Sequence, residues 1–473
     1  MRIGYSLKRF QDLARAGIIL KKLNMHDRWT REELAQVQHQ QLSCLVAHAI
    51  RHSPFYQGLY KNIRTDQRIV LGKLPIIDKS TMMENFDRFV TDPRLKLTGL
   101  QAHISQLTRD DYYLGEYRVV TTAGSSGMKG VFVFNRKEWS NILAGSLRCG
   151  LIMAGSWSSR LPNRWRASYI VADSPMHMTY RFVVSSDNHL VKTQRLKVTS
   201  SIEDLVDALN TFQPEVLYTY PSIASLLANA QLEGHLNIHP QVVSTGAEVR
   251  TNEMELKIRQ AWDVAPFNVY GVTEAGNFGC DCSFHRGLHL FEDLLIVEVV
   301  DEQNQPVPDG SPGYKLLLTN LFNFTQPLIR YEVSDMLTMS TEQCPCGRPF
   351  RLIAKVEGRS DDIIYLQSPQ RRDVPIHPIH LRSPMGAFQE IKEYHVLHEY
   401  DGFNISIVLR KGASGEEVAD KLRENLRKKI ESVGAICPEI RVQFVDRIER
   451  DPNLMGKLKL VKSNVIREGI KKE

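Results

Sequence analysis

Between about residues 119 and 355 the chain alternates short β-branched runs with helix-length segments, and this alternation narrows the available folds more than any other feature. The runs include "VVTTAG", "ASYIVAD", "VLYTYP", "QVVSTG" and "LLIVEVVD"; the helical segments include "IEDLVDALNTF" and "PSIASLLANAQL". Such alternation calls for a layered α/β core, whose ligands sit in the loops that follow the strands. Near Gly358 the pattern changes. Two strand candidates, "EYHVLHEY" and "FNISIVLR", the basic amphipathic segment "GEEVADKLRENLRKKIESV" and a last strand "IRVQFVDRI" predict a small α+β module. The expected fold class is therefore α/β, with a large multi-layer domain over 1–357 and a small α+β domain over 358–473. The first 105 residues read as mainly helical. "TREELAQVQHQQLSCLVAHAIRHSPFY" opens at Thr30 with Glu33 three residues later, the spacing of a capping box, and must stop before Pro54.

A chain of 473 residues exceeds what one hydrophobic core usually serves. With 42% hydrophobic and 24% charged residues it reads as an ordinary globular protein. The net charge is +6, and from residue 421 onward 14 Lys and Arg face 8 Asp and Glu, so the tail carries the whole imbalance. Basic and aromatic residues do not interleave as a base-stacking platform requires, which argues against nucleic acid and for an anionic small molecule. The N-terminal "MRIGYSLKRFQDLARAGIILKKLN" lacks the clean apolar core of a signal peptide; a basic amphipathic helix lying on a membrane is one reading, but a helix packed on its own domain is the expected one, so membrane contact is not expected.

Seven cysteines argue against a paired disulfide framework and for a reducing, cytoplasmic setting. Four of them form two C-x-C pairs, Cys280 with Cys282 and Cys344 with Cys346. Cys344-Pro-Cys346-Gly is a tight turn that aims two thiolates at one point, and Cys282-x-x-His285 has the short spacing of a metal-ligand pair. Cys282, His285, Cys344 and Cys346 are the expected ligands of a closed, structural Zn²⁺ site. Cys280 as a further thiolate, or His289 in place of His285, are the alternatives.

The loop in "VVTTAGSSGMKGVFVF" (119–134) concentrates hydroxyls and glycines where backbone N–H groups can converge on an anion. It is not a Walker A loop, since Gly127 is followed by Met128. Behind it follow "STGAEV" (244–249), "VYGVTEAG" (269–276), "LIRYEVSDML" (328–337), "VEGRSDDII" (356–364) and "NLMGKLKLVKS" (453–463). In this order and spacing the series resembles the core motifs of the adenylate-forming superfamily. "LVAHAIRHSPFY", "LPIIDKSTMMENF", "GLHLFEDLLIVEVVD" and "CPCGRPFRL" resemble the branch of phenylacetate–CoA ligase and the capsule-biosynthesis adenylating proteins, and the likeness runs from about residue 40 to 463.

The resemblance implies an AMP-forming ligase. A carboxylic acid would attack the α-phosphate of ATP, pyrophosphate would leave, and the acyl-adenylate would be captured by coenzyme A; an amine or carrier protein as acceptor, and a catalytically silent binding protein, are the alternatives. By the same resemblance Ser125, Ser126 and Gly127, with Thr122 at the loop's start, would contact the β- and γ-phosphates. Glu274, beside Thr273, would hold Mg²⁺. Gly246, Ala247 and Glu248, with Tyr270 and Gly271, would line the adenine pocket. Asp335 and Arg359 would fix the ribose, Lys457 would be the catalytic lysine, and Asp361 would be the hinge about which the small domain swings. Two positions depart from the pattern: Lys129 takes the place of the loop's proline and is left out of the catalytic set, and Ser334 replaces a glycine before Asp335. Segments 174–182 and 218–222, with His177 and Arg181, are candidates for the acid's pocket and equally for core packing. A dimer is one oligomeric state the resemblance allows.

Overall fold

The computed structural model describes residues 3–122, 129–154, 165–187, 191–385, 388, 390–410, 412–449 and 458–465. The chain forms two compact units. The larger runs through Val333 and includes Leu337–Val356; the smaller holds Ser334–Met336 and the described residues from Glu357 on.

The larger unit opens with helices Ile3–His26 and Arg31–His52. The second begins in a full capping box: the Thr30 hydroxyl accepts the Glu33 amide, and the Glu33 carboxylate accepts the Thr30 amide. Ser53 closes this helix and caps the next, Pro54–Leu59, whose proline takes the first turn, where no amide partner is needed. The N-terminal helix packs on Arg136–Ala154, and a buried ion cluster fastens it. Arg118 bonds Asp12 at 3.1 Å and Asp110 at 3.2 Å, Arg181 reaches Asp110 at 3.0 Å, and Arg136 reaches Asp12 at 2.8 Å.

Nine strands form the central sheet. Five lie parallel in the order Val191–Lys197, Trp165–Val171, Val216–Thr219, Val242–Gly246 and Phe267–Val272. Gly276–Cys280, Leu288–Leu290 and Leu352–Arg359 continue it antiparallel, and Asp335–Met339 forms the far edge. Val242–Gly246 is buried along its whole length, as a strand covered on both faces must be. The connecting helices start and stop on local signals. Ser201 caps Ile202–Phe212 and Thr251 caps Asn252–Trp262, and each ends at a left-handed residue, Gln213 and Asp263. A hairpin of Tyr117–Thr121 with Val131–Asn135 and a three-stranded antiparallel sheet of Leu295–Val300, Lys315–Asn320 and Tyr331–Val333 complete this unit.

The smaller unit has a four-stranded sheet in the order Glu439–Phe444, Gly402–Leu409, Ile391–Glu399, Val461–Ser463. Helix Gly415–Ser432 covers it with Val418, Leu422, Leu426 and Ile430, spaced one helical turn apart. No helix among the described residues is long and apolar enough to cross a membrane.

Candidate active site and metal centre

The parallel strands Val242–Gly246 and Phe267–Val272 pair with Gly246 opposite Val269, so their C-terminal ends form one rim. Gly246 is required there, because a Cβ would stand 2.9 Å from the Tyr218 hydroxyl and 2.9 Å from the Val269 carbonyl. The next residue, Ala247, has φ of +68°, a left-handed conformation that costs a non-glycine residue about 1 kcal/mol or more. Glu248 then turns its carboxylate onto the amide of Ser222, 3.2 Å away. On the neighbouring strand Tyr270 is buried edge-on to Phe278, and a Cβ on Gly271 would lie 2.6 Å from the Gly276 carbonyl. Thr273 and Glu274 occupy the tight turn between Phe267–Val272 and Gly276–Cys280. Glu274 is buried, and Asn320 Nδ2 holds its backbone carbonyl at 3.1 Å.

Thr122 closes the neck of the 117–135 hairpin: its amide donates to the Gly130 carbonyl at 3.1 Å and its hydroxyl accepts the Gly130 amide at 2.8 Å. Ser125, Ser126 and Gly127 lie outside the described residues, as does Lys457.

Within the smaller unit Arg359 Nε lies 3.3 Å from Asp335 Oδ1 and its Nη2 lies 3.9 Å from Asp361 Oδ2. The Ser360 amide donates to the Ser334 carbonyl at 2.7 Å, fixing the turn Ser360–Asp362. Asp362 takes Lys459 Nζ at 2.5 Å; burial pushes its carboxyl above the usual range, with Lys459 opposing.

Of the two readings open for Arg181, the structure favours core packing. Arg181 is fully buried and spends its guanidinium on Asp110 and on the carbonyls of Pro175 and Asp111, so it belongs to the ion cluster of the core.

The cysteine cluster forms with one changed member. Cys282, His289, Cys344 and Cys346 bring their donor atoms within 4.8 Å of one another. Cys282 Sγ is 3.5 Å from Cys344 Sγ, and His289 Nε2 is 3.3 Å from Cys346 Sγ. His285, the ligand expected from spacing, is elsewhere: with φ of +47° its ring packs on Phe267, centroids 4.8 Å apart, and its Nδ1 lies 3.8 Å from Asp281. His289 reaches the cluster because its strand pairs Leu352 opposite His289. Cys280 stays in the core, beside Cys149.

Burial, with Arg348 adding to it, pushes His289 down to about 4, which leaves the neutral imidazole that a cation requires. Burial raises Cys282 and pushes Cys344 up to about 12. Burial also acts upward on Cys346, but the backbone amide and guanidinium of Arg348 outweigh it and the thiol is lowered. Three sulfurs and one imidazole, all buried or half-buried, are the donor set of a tetrahedral thiolate site with no open position.

Sequence spacing carries no sign of what surrounds this cluster. Arg348 reaches Asp27 at 2.9 Å, and Asp27 pairs with Arg148. Arg148, stacked between Phe291 and Phe350, also bonds both oxygens of Asp293, which holds His26 at 2.8 Å. A chain of charge thus runs from the cysteines to the end of the N-terminal helix.

No family model matches the chain. Its fold is nevertheless that of the adenylate-forming ligases. A solved structure of 2-hydroxyisobutyryl-CoA ligase in the postadenylation state, in complex with 2-HIB-AMP, shares it with a TM-score of 0.69 at 17% identity, covering 94% of this chain and 89% of that one. In sequence the chain is similar to named coenzyme A ligases. It is 26% identical over 382 residues to a phenylacetate–coenzyme A ligase of Thermus thermophilus, covering 76% of this chain and 77% of the relative. It is 21% identical over 441 residues to the protein CapK of Staphylococcus aureus, covering 92% and 90%.

Proposed function

We propose that the protein activates a carboxylic acid with ATP and transfers the acyl group to coenzyme A. A carboxylate oxygen bonds the α-phosphorus as the bond to the β-phosphate oxygen breaks, and pyrophosphate leaves. The thiol sulfur of coenzyme A then bonds the acyl carbon, AMP leaves, and the thiol proton passes to solvent. Such transfers depend on positioning and on neutralising developing charge. The observation that carries the reading is the rim itself: Gly246 admits no side chain, Ala247 is held in a left-handed conformation, and the buried Glu274 stands in a turn fixed by Asn320.

In this reading Gly246, Ala247, Glu248, Tyr270 and Gly271 receive the adenine, and Asp335 with Arg359 takes the ribose hydroxyls, an acceptor beside a donor. Thr122, Ser125, Ser126 and Gly127 face the departing pyrophosphate. Glu274, with Thr273 next to it, holds Mg²⁺, which suits one carboxylate plus phosphate oxygens and supplies charge neutralisation at the phosphates. Lys457 neutralises charge between the acid and the α-phosphate. The small domain, from residue 358, turns about Asp361 between the two half-reactions.

Cys282, His289, Cys344 and Cys346 hold a structural Zn²⁺. The ion ties the loop after the Glu274 turn to the segment that leads toward Asp361.

The experiment is substrate-dependent exchange of labelled pyrophosphate into ATP over a panel of aromatic, aliphatic and amino acids. An acid that supports exchange, and yields a thioester when coenzyme A is added, bears the reading out. Exchange without thioester, with capture by hydroxylamine, transfers the acceptor role to an amine or carrier protein. No exchange with any acid removes the enzyme reading.

A further inference from the structure

The N-terminal helix Ile3–His26 packs on its own unit, and that packing accounts for one face only. The inward face is locked. Asp12, Ala16 and Leu23 are buried, Lys8 donates to the Gly115 carbonyl at 2.6 Å, and Arg9 donates to the Val184 carbonyl at 3.1 Å. The outward face is apolar. Leu7, Phe10, Ala14, Ile18 and Met25 follow one another at helical spacing on the exposed side, with exposures of 55% for Leu7, 69% for Phe10, 75% for Ile18 and 58% for Met25. Because the ion cluster around Asp12 fixes the helix about its axis, it cannot roll to bury this stripe. A helix-long row of exposed large apolar side chains marks an interaction surface.

Its charge selects the partner. Lys8, Arg9, Arg15, Lys21 and Lys22 lie on this helix, against a single acidic residue, Asp12, which is buried. Lys21 and Lys22 are exposed within and beside the stripe, where a long aliphatic stem can follow the apolar residues while its ammonium reaches polar headgroups. Lys8 and Arg9 are held by backbone carbonyls and Arg15 pairs with Asp12, which leaves Lys21 and Lys22 as the exposed charges of the helix, and a second copy of this chain would bring like charges to the same face. An apolar stripe whose exposed helix charges are Lys21 and Lys22 fits an interface of buried acyl boundary and negative headgroups.

We propose that the outward face of Ile3–His26 docks the protein on a membrane surface rich in anionic lipid, with the helix lying in the interfacial plane. This stands apart from the ligase reading, because none of its residues belongs to the nucleotide rim or the cysteine cluster.

The test is flotation of the full-length protein with vesicles of phosphatidylcholine alone and of phosphatidylcholine containing about one-third phosphatidylglycerol. Co-flotation with the anionic vesicles, lowered by high salt, is expected. The double variant Phe10→Glu/Ile18→Glu is expected to abolish it, and Lys21→Glu/Lys22→Glu to reduce it about tenfold or more. Leu7→Ser/Met25→Ser provides a milder pair, and an unchanged melting temperature in each variant shows that the fold is intact. Absence of flotation with anionic vesicles, equal flotation with neutral ones, or binding unaltered by Phe10→Glu/Ile18→Glu would overturn the proposal. So would a dimer in sedimentation equilibrium that Ile18→Glu dissolves, since the face would then belong to a second copy.

Discussion

His289 Nε2 lies 3.3 Å from Cys346 Sγ although 57 residues separate them, while His285, at the shorter spacing from Cys282, points away. If this cluster holds zinc, purified protein carries one ion per chain, and His289→Ala or Cys344→Ser reduces that content to near zero. His285→Ala leaves it unchanged. Elemental analysis reads all three, and loss of metal in His285→Ala with retention in His289→Ala would sink the assignment.

The side chains behind the ligands tune them. Arg348 contacts Asp27 and lowers the Cys346 thiol, so Arg348→Ala should weaken metal retention by about 10–100-fold, the usual effect of removing an outer partner. Competition with a zinc chelator measures this. Retention equal to the parent protein would show that Arg348 serves the Asp27–Arg148 ion network alone.

Asp110 should set part of the acid limit of stability. Desolvation alone would raise its carboxyl, but Arg118 and Arg181 together hold it below the usual carboxylate range. A depressed folded value means that its contribution is complete above the unfolded value of about 3.9 and is lost as the pH falls below it. Urea midpoints should therefore hold from neutral to mildly acidic pH and fall more acid than about pH 4. Asp110→Asn should cost about 3–5 kcal/mol at neutral pH, because it leaves the buried Arg181 without a carboxylate and Arg118 with Asp12 alone, and should flatten the acid limb. An unchanged midpoint would show that the cluster is not needed.

How much of this was legible follows from how local each signal is. The Thr30–Glu33 capping box, the break at Pro54 and the α/β alternation depend on neighbours in sequence, and the structure forms each of them. The cysteines were legible as a cluster because C-x-C spacing is local, but their histidine was not, since the pairing of Leu288–Leu290 with Leu352–Arg359 selects it. Arg181, beside His177, read equally as a pocket or a core residue. Its decisive partner, Asp110, lies 71 residues away, and no spacing rule connects them. For Ile3–His26 the sequence left packing and membrane contact open for a related reason: periodicity shows that two faces differ, and only packing shows which one is left uncovered.

Gly246 offers a test of the rim that does not depend on knowing the acid. A Cβ there meets the Tyr218 hydroxyl, which can swing aside, and the Val269 carbonyl, which is backbone and cannot. Gly246→Ala should therefore cost about 1–3 kcal/mol and raise the KM for ATP in pyrophosphate exchange. Loss of stability with an unchanged KM would separate the rim from the nucleotide.

Lys457 distinguishes the two half-reactions. The described residues after it are tied within the small unit: Lys459 bonds Asp362 in the turn that contains Asp361, and Val461–Ser463 pairs with Ile391–Glu399. In the proposed swing of the small domain, Lys457 serves the arrangement in which ATP is attacked. Lys457→Ala should lower pyrophosphate exchange by about 100–1,000-fold, the range for removing one charge-stabilising donor. Thioester formation from a supplied acyl-adenylate should change only a few-fold, since the phosphate chemistry is already complete. Measured side by side on one preparation, the two rates give a ratio that protein quality cannot mimic. Equal loss of both would mean that Lys457 supports the fold or serves both steps, and the swing about Asp361 would lose its main argument.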